Sequence, residues 1–271
     1  MPYAFGAAAG GAFPQLTITQ SQTWVPPQDG TICIHVVGAG GGGTGQNAVP
    51  YGGGAGAYGK VPSLAVTTSG SFTLVVGSGG IGGANNNSHS AGVGGSSQIS
   101  GTGLTGTKTA GGGYRGNNAG QGSTNGAGGT VSGSGEGWVG NTGGAALTSG
   151  GAVGIYGTGQ AGTNAMHIGG GGMTDAQAGG LGMSGFGIIC GGSEFSPVKW
   201  FDNANKGSTY TVTASDLCGG GAVGYSSTGS YIAGTNGGIG GGGGGCRNTS
   251  AGAAKGGNGG DGIILIQYLP W

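Results

Sequence analysis

Thr31-Ile32-Cys33-Ile34-His35-Val36-Val37-Gly38-Ala39-Gly40-Gly41-Gly42-Gly43 passes without a break from one kind of chain into another. Its first seven residues are rich in β-branched side chains and apolar on both alternating faces, the pattern of a buried strand. The rest has almost no side chains. A strand is stabilised by what its side chains cover, and a glycine run has nothing to cover with. The fold therefore turns on what such a run does when it continues a strand.

Glycine supplies 80 of the 271 residues, roughly four times its usual ~7% share. Ordering each one in a regular element costs about 0.5–1 kcal/mol more than ordering alanine. Over the chain that is on the order of 40–80 kcal/mol. Either the glycines stay disordered, or the backbone itself forms a packed interior. Gly/Ser-rich linkers are ordinarily flexible, but here Ile, Val, Trp and Tyr interrupt the tracts and strand signals bracket them. Collagen needs glycine at every third position with abundant proline, and this chain has 8 Pro and unbroken runs such as Gly240–Gly245. What remains is polyglycine in the polyproline-II conformation, with three residues per turn and no internal hydrogen bonds. Each N–H and C=O then needs a neighbouring tract or water. The expected fold is mainly irregular and β: a sandwich of packed polyglycine helices framed by a few β-strands, with essentially no α-helix.

Working outward, Leu16–Thr19 reads as a short strand. Tyr58–Val66 and Ser71–Val76 read as a strand pair joined through 67–70, and Ile263–Tyr268 as a second buried strand. Residues 1–23 are expected to form an N-terminal docking arm with a short strand, and 24–271 a glycine-rich domain interrupted by a Gly-poor insertion at 193–218.

Charge excludes several partners. Seven basic and seven acidic residues leave a net charge of zero, so there is no basic field to hold nucleic acid or an anionic membrane. No apolar run reaches the ~18 residues of a membrane span, and the first residues lack a secretory pattern. Export by lysis or by assembly into a particle is the expected alternative. The four widely spaced cysteines are expected to behave as small apolar residues.

Glycine excess also creates motifs by chance. Gly38–Gly43 fits G-x-G-x-x-G after a strand, but no helix pattern follows, as a dinucleotide site requires. Residues 256–263 fit one copy of a calcium nonapeptide, whose ions need tandem copies to sit between. Asp261 is expected to be a turn residue and His35 a structural histidine. The acids are scattered singly, so no catalytic set, metal site or cofactor is expected, and the chain is not expected to be an enzyme.

Trp24-Val25-Pro26 before a strand, Val36–Gly43, Gly54–Lys60, Phe72–Gly80 and Gly259–Ile266, in that order, resemble the glycine-rich domain of phage tail fibres. The resemblance covers about Trp24 to Tyr268. It is also similar to the tip adhesins of T-even-type phages, which fold as packed polyglycine helices whose loops bind the host receptor. The resemblance implies a virion protein of the tail fibre or tail tip, assembled in the host cytoplasm. Its implied partners are a host surface receptor, protein or polysaccharide, and other virion proteins held through the N-terminal arm. Monomer and homotrimer are both compatible with it. A structural fibre or decoration subunit is the alternative, and ice binding a weaker one. On this reading the non-glycine interruptions carry recognition, because aromatic and amide side chains on loops of a rigid scaffold suit contact roles. The candidate contact residues are His89, Tyr114, Arg115, Trp138, Tyr156, His167, Trp200, Phe201, Tyr225 and Tyr231.

Overall fold

The structure is a computed structural model that describes residues 15–46, 51–83, 91–116, 126–146, 150–151, 153, 157–159, 161–162, 224–225, 233–247 and 255–269. Its strands are β1 (Gln15–Ile18), β2 (Gln22–Trp24), β3 (Gly30–Val37), β4 (Gly45–Gln46), β5 (Tyr58–Val66), β6 (Phe72–Val75), β7 (Ser97–Gly101), β8 (Lys108–Ala110), β9 (Val131–Ser132), β10 (Val139–Asn141), β11 (Gly224–Tyr225), β12 (Cys246–Arg247) and β13 (Ile263–Tyr268). No helix occurs among the described residues. The fold is mainly β and irregular, as the sequence predicts.

Two antiparallel sheets, in the orders β1-β13-β3-β5-β10 and β2-β6-β7-β8-β9, share one core. Alternation along β3 and β13 sends Ile32, Ile34, Val36, Ile264, Ile266 and Tyr268 into it, where they meet Trp24, Phe72, Leu74 and Ile99 of the second sheet. Strand β5 carries one extra residue where Ile32 pairs with Leu64 and Ile34 with Val61, a bulge that accommodates Pro62. The outer face of the first sheet is covered too: Val37, Tyr58, Ile263 and Leu265 pack with Ala55, Val153 and Ile239.

Both strands of the expected 58–66 and 71–76 pair form, but they are not hydrogen-bonded to each other. β5 lies between β3 and β10, and β6 between β2 and β7. Val61, Leu64 and Val66 instead join Phe72 and Leu74 in the core between the sheets. The 67–71 connection therefore crosses from one sheet to the other. Alternation states which side chains must be buried, and it is satisfied equally by a partner beside the strand or one facing it. Residues 15–23 of the expected arm belong to the sheets through β1 and β2, while 1–14 lie outside the described residues.

Several strands lead into, or emerge from, a glycine tract, and these tracts form the second half of the molecule. Their backbone bonds repeat by threes. Along 38–44, the N–H groups of Gly38, Gly41 and Thr44 donate to Ala57, Gly54 and Tyr51. Those of Ala39 and Gly42 donate to Gly95 and Gly92, and those of Gly40 and Gly43 to Gly260 and Gly257. The same direction recurs every third residue, which is the signature of a three-residue turn. The carbonyls of this tract accept in the same rhythm, from Gly80 and Gly83, from Gly113 and Gly116, and from Gly243 and Cys246. Tract 38–44 is thus enclosed by backbone on every side and wholly buried.

Close approach is the reason glycine is required. A methyl group built on Gly40 would lie 1.9 Å from the carbonyl oxygen of Gly241, and one on Gly56 would lie 1.9 Å from that of Gly38. Tracts at the margin show the complementary pattern. Ser78 and Ile81, Ala127 and Thr130, Thr142 and Ala145, and Asn258 and Asp261 are exposed, three residues apart, with glycines between most of these pairs turned inward.

Candidate recognition end and the turns opposite it

The continuous strand–tract runs give the molecule two ends. At the sheet end the chain reverses through turns at 25–29, 67–71, 102–107 and 133–138. At the tract end Thr44 bonds Tyr51 through N–H···O at 2.8 Å, and Cys246 donates to the Thr44 carbonyl at 2.8 Å. Gly256 donates to Gly83 at 3.0 Å and Ala146 to Gly126 at 2.7 Å. A small parallel sheet, β11-β12-β4, lies at this end. The segments 47–50, 84–90, 117–125, 147–149, 163–223, 226–232 and 248–254 all leave and rejoin the described chain at this end.

Of the predicted contact residues, Tyr114, Arg115 and Tyr225 are described at this end. His89, His167, Trp200, Phe201 and Tyr231 fall within those segments, outside the described residues, as does the 193–218 insertion. Tyr156 also lies outside the described residues. Tyr225 sits in β11, paired in register with Arg247. Tyr114, 58% exposed, and Arg115 close the 111–116 tract at this end, where an Arg115 guanidinium N–H donates to the Ala91 carbonyl at 3.4 Å.

Trp138 is placed apart from the other described candidates. It lies at the sheet end, half-buried against the sandwich core. Its ring covers Gly59, where an added methyl would be 2.1 Å from a ring carbon. The cause is the preceding turn. Gly135, Glu136 and Gly137 have φ of +84°, +48° and +65°, and the Trp138 N–H donates back to the Gly135 carbonyl at 2.8 Å. That turn folds the indole inward.

The same turn builds an ion pair that no sequence motif announces. Lys108 in β8 is fully buried, and its ammonium donates to the carbonyls of Thr105 (3.0 Å) and Ser134. The ammonium meets Glu136 Oε2 at 2.5 Å. Glu136 Oε1 accepts from the Thr105 hydroxyl at 2.6 Å and its N–H at 2.9 Å. Bonding to Lys108 and then to Thr105 holds the Glu136 carboxyl down to about 2. The cluster fastens the 102–107 and 133–138 turns together. The sequence signal was slight: a lysine in the alternating Lys108-Thr109-Ala110 and a carboxylate flanked by glycines.

A second polar group lies on the outer face of the first sheet. His35 Nδ1 and the Tyr58 hydroxyl are hydrogen-bonded at 2.7 Å, and Cys33 Sγ is 3.4 Å from His35 Nε2. Burial, with a smaller contribution from Lys60, lowers His35 to about 4. Burial also raises the Cys33 thiol. Both groups are therefore neutral near pH 7, the opposite of an activated thiolate–imidazolium pair. His35 is a structural histidine here, as expected.

The nonapeptide-like run resolves into lattice chemistry. Asp261 Oδ1 accepts from the Gly79 N–H at 2.7 Å, and Asn258 Oδ1 from the Gly82 N–H at 2.7 Å. Two side chains three residues apart replace carbonyls for two N–H groups three residues apart. Among the described residues, no group of three His, Cys, Asp or Glu is placed to hold a metal ion.

A small side-chain sandwich extended by a backbone-packed lattice defines a glycine-rich scaffold. The sequence profile of the glycine-rich domain matches residues 17–269, and the chain belongs to that family. No curated protein matches the chain.

Proposed function

We propose that this protein is an adhesin of a phage tail fibre or tail tip, and that it binds a host-surface receptor, protein or polysaccharide, through the segments between its polyglycine tracts. One observation carries this reading: the described residues that flank the long interruptions of the tracts, among them Thr44, Gly83, Gly116 and Cys246, lie at the end opposite the sheet turns. Recognition loops need fixed anchors and freedom to vary in sequence. A lattice bonded through its backbone supplies the anchors, since its integrity does not depend on what those segments contain. The resemblance of the ordered motifs to tail-fibre domains supplies the biological setting: a virion component that docks to other fibre proteins through its N-terminal residues.

The test is competition. Purified protein added to susceptible cells reduces phage adsorption, and replacing 84–90 and 117–125 with Gly-Ser segments of equal length abolishes that effect while leaving the melting temperature within a few degrees. A folded protein that neither binds susceptible cells nor slows adsorption refutes the adhesin reading and leaves a structural virion part.

A further inference from the structure

The lattice raises a question of its own, which is why it stops. Any tract with open N–H groups and no side chains toward solvent is a template for one more tract, just as an open sheet edge is for another strand. The layer formed by 77–83, 91–95, 111–116 and 126–130 is an outer margin of the lattice: Gly92 donates to Ile81, Gly94 to Gly113 and Tyr114 to Ala127. The N–H groups of Ile81 and Val93 find no acceptor among the described residues.

At this margin the outward position of each tract is occupied by a residue with a β-carbon. Ile81 is 70% exposed, Val93 51% and Tyr114 58%, and Ala127 follows on the next tract. None of the described glycines in these four tracts is exposed. Interior spacing gives the reason. Where two tracts meet, a β-carbon on Gly42 would be 2.1 Å from the Ile81 oxygen, and one on Gly112 2.0 Å from the Gly94 oxygen. A β-carbon on the outer face therefore keeps an incoming tract from closing to bonding distance. Buried alanines do occur: Ala55, Ala57 and Ala110 pack within apolar side-chain clusters, and Ala39, Ala91 and Ala146 are buried outside them.

We propose that these outward side chains are steric stops. They end the polyglycine lattice and keep this face from joining the glycine tracts of a second copy of the chain. The relevant property is the β-carbon and not the apolar surface beyond it.

Two triple variants separate these properties. I81A/V93A/Y114A removes the apolar surface and keeps the β-carbons, whereas I81G/V93G/Y114G removes both. Sedimentation velocity over a hundredfold range of concentration reads the outcome. The glycine triple is expected to self-associate at least tenfold more tightly than the starting protein, and the alanine triple to keep the starting protein's state. Equal behaviour of the two folded triples overturns the proposal, as does self-association of the starting protein that both triples abolish. If the glycine triple melts before it can be measured, A127G/T130G opens the same layer at smaller side chains and is read in the same way, with A127S/T130A as its β-carbon control.

Discussion

Phe72 and Ile34 are shielded from water by other side chains, whereas Gly40 and Gly53 are shielded by the backbone of other tracts. The two halves of the molecule share the same chain runs: β3 becomes tract 38–44, and tract 51–57 becomes β5. They nevertheless reach a dry interior by opposite rules. In the sandwich, volume fills the core, and loss of a side chain leaves a cavity. In the lattice, absence of volume brings backbones together, and gain of a single carbon forces them apart. Polar groups are handled differently as well. The sandwich confines its backbone bonds to two sheets, while the lattice bonds outward in several directions around each tract. Hydrophobicity alone is therefore a poor guide to which residues of this protein are buried.

Mutations can break this comparison, beginning with the largest effects. Phe72→Ala is expected to cost about 3–5 kcal/mol through the cavity it leaves. Gly56→Ala, which adds one methyl against the Gly38 carbonyl, is expected to cost about 1–3 kcal/mol or more, because a close-packed backbone cannot yield locally. Urea unfolding of both variants measures them side by side. A cost near zero for Gly56→Ala would mean that the tracts are looser than their spacing indicates.

Acid sharpens the contrast, since both strongly shifted groups described above belong to the sheets and their turns. The unfolded chain protonates His35 near 6.5 and the folded one only near 4, so stability is lost as pH falls from 6.5 to about 4. Glu136 is depressed from 4.5 to about 2. Its contribution is complete above 4.5 and disappears as pH falls through about 2. Melting temperatures are expected to decline in two overlapping steps. His35→Gln removes the upper step and Glu136→Gln the lower. A single step unaffected by either substitution would place the acid-sensitive groups elsewhere.

The smallest expected effect lies at the lattice margin. Asn258→Ala deletes the acceptor for the Gly82 N–H and is expected to cost about 1 kcal/mol, since the freed N–H gains water. Amide exchange should accelerate at Gly82 while remaining slow at Gly43. Equal acceleration at both would show that the margin and the interior open together.

Much of this division was legible in the chain. The strands at 31–37, 58–66 and 263–268 followed from apolar runs, and backbone packing followed from the need to satisfy polyglycine without side chains. The second sheet was harder to see. Ser97–Gly101, Lys108–Ala110 and Val131–Ser132 offer one apolar residue each, too few for alternation to stand out from the surrounding glycine. The placement of Trp138 and Glu136 was not legible for a common reason: it is set by left-handed backbone at 135–137, which glycine permits but does not announce. Outward positions in the tracts were readable as non-glycine residues three apart, but only the enclosing tracts show why that period matters.

The run of β3 into tract 38–44 also has a mechanical consequence. Polyproline-II chain rises about 3.1 Å per residue, close to the ~3.3–3.6 Å limit of a stretched backbone. A tract pulled along its axis therefore has roughly a tenth of its length left to give. Its bonds to neighbours lie across that axis and bear the load together in shear. Force applied at the sheet end reaches the opposite end with little elongation, so the lattice acts as a stiff strut between them.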